Sequence, residues 1–121
     1  MNQRRDALIW AMGLLAVPAL AGRTLAEQSR IDRLIGYVES RKDAKFVRNG
    51  SEYSCEDAAK FMRGKLKAMG EHVGTAEQFI EQIATKSSTT GQLYLIRFPD
   101  GKVVPSAVFL GDELKRMDSK Y

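Results

Sequence analysis

The chain has 121 residues, of which 19 are lysine or arginine and 15 are aspartate or glutamate, so its formal net charge is +4. This length suits one domain. A single histidine and a single cysteine disfavour a zinc site and exclude an internal disulfide, and no metal or other cofactor is predicted.

The first 26 residues are typical of a cleavable signal peptide. The pair Arg4-Arg5 precedes an apolar run from Ala7 to Ala21, which at 15 residues is shorter than the roughly 20 needed to span a membrane. Small residues offer cleavage after Ala26 or, alternatively, after Ala21. The general secretory route is preferred, with the twin-arginine route as the alternative. We therefore predict a periplasmic or secreted protein with no stable membrane span after cleavage.

Residues 27–121 are predicted to form one small domain. They contain 16 basic and 14 acidic residues, so removal of residues 1–26 reduces the net charge to +2. The high isoelectric point therefore belongs partly to the removed segment. A charge this small does not favour nucleic acid as a partner.

The first predicted elements are a helix and a hairpin. Residues 28–41 are predicted to be helical because four apolar residues recur with helical spacing: Ile31, Leu34, Ile35 and Val38. Lys45 to Ser54 is predicted to form a β-hairpin, since Asn49-Gly50 is a strong signal for a two-residue turn.

Two helices and a second hairpin follow. Ser54 and Thr75 each begin a capping-box pattern, which predicts helices from Ser54 towards Gly70 and from Thr75 to about Lys86. Leu93 to Phe98 is a predicted strand that pairs, through a Pro-Asp-Gly turn, with residues 102–104. Ser106 is the predicted cap of the last helix.

The order of elements is thus α-ββ-α-α-ββ-α. This order indicates an α+β fold, with a small antiparallel sheet or hairpins packed against about four helices. Whether the two hairpins share one sheet stays open at this point.

Two polar regions are candidate ligand-binding sites. An arginine at the tip of the first hairpin can bind an anion in a bidentate manner, and a run of hydroxyl side chains between the third helix and the second hairpin offers hydrogen-bond donors. If the hairpins pack together, Tyr94 and Arg97 come near the arginine. The predicted ligand-binding residues are Arg48, Asn49, Tyr53, Ser87, Ser88, Thr90 and Tyr94.

No catalytic residue is predicted. Cys55 lies at a predicted helix start, where the thiol pKa is lowered, and with His72 it would supply the residue types of an activated thiol. Nothing in the spacing of these two residues brings them together, so this pair remains an alternative only.

An ordered series of motifs across the domain resembles one known family. The series is similar to domain-of-unknown-function family 5329, a family of small exported bacterial proteins, from about Ile31 to Leu114. The resemblance implies a periplasmic location and no assigned activity. The motifs are Phe46-Val47-Arg48-Asn49-Gly50-Ser51-Glu52-Tyr53, Ala58-Ala59, Arg63-Gly64-Lys65, Thr75-Ala76-Glu77-Gln78-Phe79-Ile80 and Ser87-Ser88-Thr89-Thr90-Gly91-Gln92-Leu93-Tyr94.

The functional prediction is a non-enzymatic module that binds an envelope protein or cell-envelope component. One alternative is a structural role through self-association, for instance by a Cys55–Cys55 bridge. The other is a small enzyme acting on the envelope through Cys55 and His72 or through a hydroxyl of residues 87–90. The oligomeric state stays open.

Overall fold

The computed structural model describes residues 23–119, so the predicted apolar segment of the signal peptide lies outside the described part of the chain. The elements confirm the predicted order and the α+β class, and a short 3₁₀ turn at Gly70–His72 separates the second and third helices. Within residues 23–119, no helix is long and apolar enough to cross a bilayer. The elements are α1 (Leu25–Ser40), β1 (Lys45–Arg48), β2 (Ser51–Ser54), α2 (Cys55–Met69), α3 (Ala76–Gln82), β3 (Leu95–Arg97), β4 (Val103–Pro105) and α4 (Ser106–Asp118).

The two hairpins share one antiparallel sheet, in the order β2-β1-β3-β4. Phe46 in β1 lies opposite Ile96 in β3, which in turn lies opposite Val104 in β4. The β1–β2 turn has positive φ at Asn49 (51°) and Gly50 (80°), as the predicted two-residue turn requires. The first and second hairpins therefore meet along β1 and β3.

The core lies between the helices and one face of this sheet. The predicted apolar residues of α1 are all buried, as are Phe46 and Ile96 on the sheet, whereas their neighbours Val47 and Leu95 are only half-buried. Tyr94 packs against Phe46 with 5.3 Å between ring centroids. This arrangement places the even-numbered residues of β1, including Arg48, on the face that the helices cover.

The helix starts follow the predicted capping for α2 and α3 but not for α4. Ser54 Oγ accepts from Asp57 N at 3.0 Å, and Thr75 Oγ1 accepts from Gln78 N at 3.0 Å. The prediction for Ser106 is wrong. Pro105 occupies the N-cap position, and Ser106 is the first helical residue with no capping bond from its side chain.

The segment after α3 differs from the prediction in its boundaries. The helix ends at Gln82 instead of about Lys86, because the chain turns there to bury Ile83 and Ala84. An isolated bridge then pairs Lys86 with Leu93, and β3 is shortened to Leu95–Arg97.

Candidate functional site

The two regions predicted as separate candidates are in contact. Thr90 Oγ1 donates to Asn49 Oδ1 at 2.6 Å, and Asn49 Nδ2 lies 3.5 Å from Ser87 Oγ. The β1–β2 turn is thereby joined to residues 87–91, which are about forty positions away in the sequence. We call this region, formed by β1, β2, the facing side of α2 and residues 87–94, the hairpin–loop site.

Ser87 shapes the loop in this site. Its side chain is buried, and Oγ accepts from the backbone N–H groups of Thr89 and Thr90, each at 3.3 Å. Its carbonyl accepts from Gly91 N at 2.9 Å, and Gly91 has a positive φ of 76°. Ser87 therefore positions the backbone, while Ser88 and Thr89 stay exposed.

The guanidinium of Arg48 lies over an aromatic side chain of α2. Its guanidinium carbon is 4.4 Å from the centre of the Phe61 ring, within the range of a cation–π contact. Its Nε is enclosed and has no hydrogen-bond partner among residues 23–119. Phe61 also packs edge-on against Tyr94, with ring centroids 5.8 Å apart. The ring that contacts Arg48 is therefore itself held in place by Tyr94.

Lys65 lies one turn after Phe61 on the same face of α2. Its Nζ donates to the carbonyl oxygen of Ile83 at 3.3 Å and to the Tyr94 hydroxyl at 3.4 Å. It is also 5.3 Å from the centre of the Tyr94 ring. Because an ammonium group has three donors, these two bonds hold Lys65 in place and leave one donor for a further acceptor.

Two cavities open at the hairpin–loop site, and Arg48 and Phe61 form a wall common to both. Each lies near the lower end of the roughly 300–1,000 Å³ typical of small-molecule sites. The first cavity, of about 350 Å³, is lined by Phe46, Arg48, Tyr53, Asp57, Ala58 and Phe61. The second cavity, of about 370 Å³, is lined by Arg48, Phe61, Gly64, Lys65, Ser87, Ser88, Thr89 and Tyr94.

All seven predicted ligand-binding residues lie at this one site, and they form two groups. Five of them line a cavity, namely Arg48, Tyr53, Ser87, Ser88 and Tyr94. Asn49 and Thr90 instead join the two walls through their mutual hydrogen bond.

Sequence reasoning missed the contribution of α2 to the site. Phe61 and Lys65 are four residues apart, so they lie on one helix face, and both are half-buried. The available signal was a lysine among the apolar residues of this helix, because a charge at a half-buried position needs polar partners.

Cys55 and His72 are not brought together. Cys55 is the first residue of α2 and is 2% exposed, with Sγ 3.6 Å from the carbonyl oxygen of Ala44. Burial raises the pKa of the Cys55 thiol, which opposes activation. His72 is exposed beyond the other end of α2, roughly 20–25 Å away at 1.5 Å per helical residue. The same burial disfavours a Cys55–Cys55 bridge between folded copies.

A metal site requires several ligating side chains that converge on one point. No group of three or more histidine, cysteine, aspartate or glutamate side chains converges within residues 23–119. Apart from Asp57 in the first cavity, the charged side chains that line the two cavities are cations, and hydroxyl donors lie beside them. These groups suit an acceptor or an anion as the bound group.

Comparison with known proteins gives a family and one relative. Residues 25–118 match the family described as "Family of unknown function (DUF5329)". The chain is 41% identical over 81 residues to "Uncharacterized protein YfeK" of Salmonella typhimurium (strain LT2), an alignment that covers 67% of this chain and 68% of that protein. No solved structure matches the chain. The matched range includes both halves of the hairpin–loop site.

Proposed function

The chain belongs to the DUF5329 family of unknown function, and we propose that it is an exported, non-enzymatic binding module of the bacterial envelope. The observation that carries the proposal is the contact between the β1–β2 turn and residues 87–91. This contact gathers two polar regions, distant in the sequence, around two cavities of the size that small molecules occupy.

The groups in the site support binding over catalysis. A nucleophilic hydroxyl requires an adjacent base within hydrogen-bond distance. Among residues 23–119, the hydroxyls of Ser87 and Thr90 bond to Thr89 and Asn49, not to a histidine or a carboxylate. The lysine of the site is held by a carbonyl and by the Tyr94 hydroxyl.

The proposed location rests on the sequence. A positive start, a short apolar run and small residues before the predicted cleavage positions are the features of a signal peptide. The binding partner in this proposal is accordingly an envelope protein or a cell-envelope component.

Native mass spectrometry tests this proposal. The full chain is produced in a Gram-negative host and purified from the periplasmic fraction without reductant. We expect a mature chain with additional bound mass, which is lost in the Arg48→Ala/Ser88→Ala variant. The same spectrum gives the number of chains in the particle.

The matched control is Arg33→Ala/Ser40→Ala, which removes the same residue types from exposed positions of α1. This control should keep the bound mass and the wild-type unfolding temperature, because both of its positions are exposed. Arg48→Ala loses the packing of Arg48 on Phe61, so the unfolding temperature of Arg48→Ala/Ser88→Ala is measured to establish that this variant is folded. Bound mass that persists in Arg48→Ala/Ser88→Ala contradicts the site, and a precursor retained uncleaved in the cytoplasm contradicts export.

A further inference from the structure

Building on the proposed binding function, we infer that the ligand of the hairpin–loop site is an amphiphilic anion. Its carboxylate or phosphate group binds between Arg48 and Lys65 in the second cavity. Its aryl or alkyl portion extends past Phe61 into the first cavity.

The distribution of charge between the cavities supports this orientation. The second cavity is lined by two cationic side chains, Arg48 and Lys65, and by no acidic residue among those that the structure describes. In the first cavity Arg48 is opposed by Asp57. An anion is therefore favoured in the second cavity and disfavoured in the first.

Both cations are held in place before a ligand arrives. The Phe61 ring lies 4.4 Å from the guanidinium carbon of Arg48 and 5.7 Å from Nζ of Lys65, so one ring supports both groups. The Arg48 side chain makes no ion pair within residues 23–119, and its enclosed Nε lacks an acceptor there. A bound anion would supply the counter-charge that this guanidinium lacks, through charge-assisted hydrogen bonds to its N–H groups.

The hydroxyl loop adds neutral donors to the same cavity. Ser88 and Thr89 line it beside the two cations, and the bonds from the backbone N–H groups of Thr89 and Thr90 to Ser87 Oγ fix the loop that carries them. Hydroxyl donors and a guanidinium group together match the several acceptor oxygens of a carboxylate or phosphate.

The lining of the first cavity indicates an apolar group on the ligand. Four of its six residues are aromatic or aliphatic, namely Phe46, Tyr53, Ala58 and Phe61. Because Arg48 and Phe61 border both cavities, the cavities adjoin, and a ligand that passes over this shared border would occupy both. Burial of an aryl or alkyl group there contributes affinity roughly in proportion to the apolar area removed from water.

A titration followed by amide NMR spectra of the ¹⁵N-labelled full-length mature protein tests the inference. The probes are 3-phenylpropionate, phenyl phosphate, acetate and the neutral 3-phenylpropionamide. We expect one of the two aromatic anions to bind at least about ten-fold more tightly than acetate and than the amide, because charge-assisted hydrogen bonds are roughly twice as strong as neutral ones. Which of the two aromatic anions binds more tightly distinguishes a carboxylate from a phosphate ligand.

Four single variants test whether the charged side chains of the site determine anion binding. Lys65→Met keeps the apolar stem and should weaken binding of the preferred anion by about ten-fold or more, whereas Lys60→Met, on the exposed side of the same helix, should not change it. Arg48→Lys keeps the charge but loses the planar fork, and should weaken binding independently. Asp57→Asn removes the acidic group of the first cavity and should strengthen binding of the anion.

The inference is overturned if the amide binds as tightly as the acid. It is also overturned if Lys65→Met and Arg48→Lys both bind normally, or if neither aromatic anion binds at millimolar concentration. A neutral molecule retained from the periplasm and lost in Arg48→Ala/Ser88→Ala would overturn only the anionic character. Bound mass that persists in Arg48→Ala/Ser88→Ala contradicts the proposed site itself.

Discussion

Ser87 and Ser106 are both buried serines, yet their hydroxyl groups are in opposite states. Ser87 Oγ lies within hydrogen-bond distance of two backbone N–H groups and of the Thr89 hydroxyl. Ser106 is fully buried, and its Oγ has no partner within residues 23–119. A buried hydroxyl without a partner reduces stability, whereas a bonded one increases it.

The two serine-to-alanine substitutions should therefore differ. Ser87→Ala should lower the free energy of unfolding by about 1 kcal/mol, and Ser106→Ala should leave it unchanged or raise it by up to ~1 kcal/mol. Urea denaturation of both variants measures the difference, and each serves as the other's control. Equal losses, or a larger loss for Ser106→Ala, would contradict the assignment of Ser87 as the residue that shapes the loop.

At the scale of the element, the contacts at the start of α1 distinguish the two predicted signal-peptide cleavage positions. Thr24 caps the helix by accepting from Glu27 N at 3.1 Å. Arg23 donates to the carbonyl oxygens of Val73 and Gly70 at 2.9 and 3.0 Å, which attaches the start of α1 to the segment after α2. Cleavage after Ala26 would remove both residues, whereas cleavage after Ala21 would keep them.

We therefore expect an exported chain that begins at Gly22, not at Glu27. The intact mass of the periplasmic protein distinguishes the two, since they differ by residues 22–26. A mass that begins at Glu27 would contradict the prediction.

A recombinant chain that begins at Glu27 provides the control for stability. Because loss of an N-cap side chain costs about 1 kcal/mol, this shorter chain should unfold at a lower temperature than one that begins at Gly22. Equal unfolding temperatures would show that Arg23 and Thr24 do not stabilise the domain.

At the scale of the whole molecule, Arg30 connects three helices. Its guanidinium lies 2.9 Å from Glu27 in α1, 3.2 Å from Glu77 in α3 and 2.8 Å from Asp118 in α4. Burial alone would lower the pKa of Arg30, but the hydrogen bonds with Glu77 and Asp118 and the charge of Glu27 raise it overall. The hydrogen bond from Arg30 is also the main cause that lowers the pKa of Glu77.

The lowered pKa of Glu77 gives the network a pH dependence of definite sign. Its stabilising contribution is present above the pKa of an unfolded glutamate, about 4.3, and is lost as the pH falls through the lower folded value. Since Glu77 and Asp118 are more than half exposed, Arg30→Ala should cost only about 1 kcal/mol at neutral pH. This loss should shrink below about pH 4.

Chemical denaturation between neutral and acidic pH measures this effect. The control is Arg33→Ala, which removes a charge from an exposed position of α1 that makes no ion pair within the described residues. This control should change stability by less than about 0.5 kcal/mol. A loss for Arg30→Ala that is the same at every pH would show that its carboxylate partners are not responsible.

Local patterns were sufficient to predict the elements. The spacing of apolar residues predicts α1, the Asn49-Gly50 pair predicts its turn, and Ser54 and Thr75 predict two helix starts, because each signal acts over a few neighbouring residues. Such signals fail where packing decides the boundary, as at the end of α3 and at Ser106, where the neighbouring strand and the core outweigh local preference.

The order of the elements, the family and most of the polar residues of the hairpin–loop site could be predicted from the amino-acid sequence. Three features became visible only in the folded chain: the two hairpins share one sheet, Thr90 bonds to Asn49, and Phe61 and Lys65 of α2 complete the cavities. Helix and turn signals arise from neighbouring residues, so they can be recognised locally. A contact across about forty residues instead depends on how the sheet and helices pack, and one chain's sequence pattern does not encode that directly.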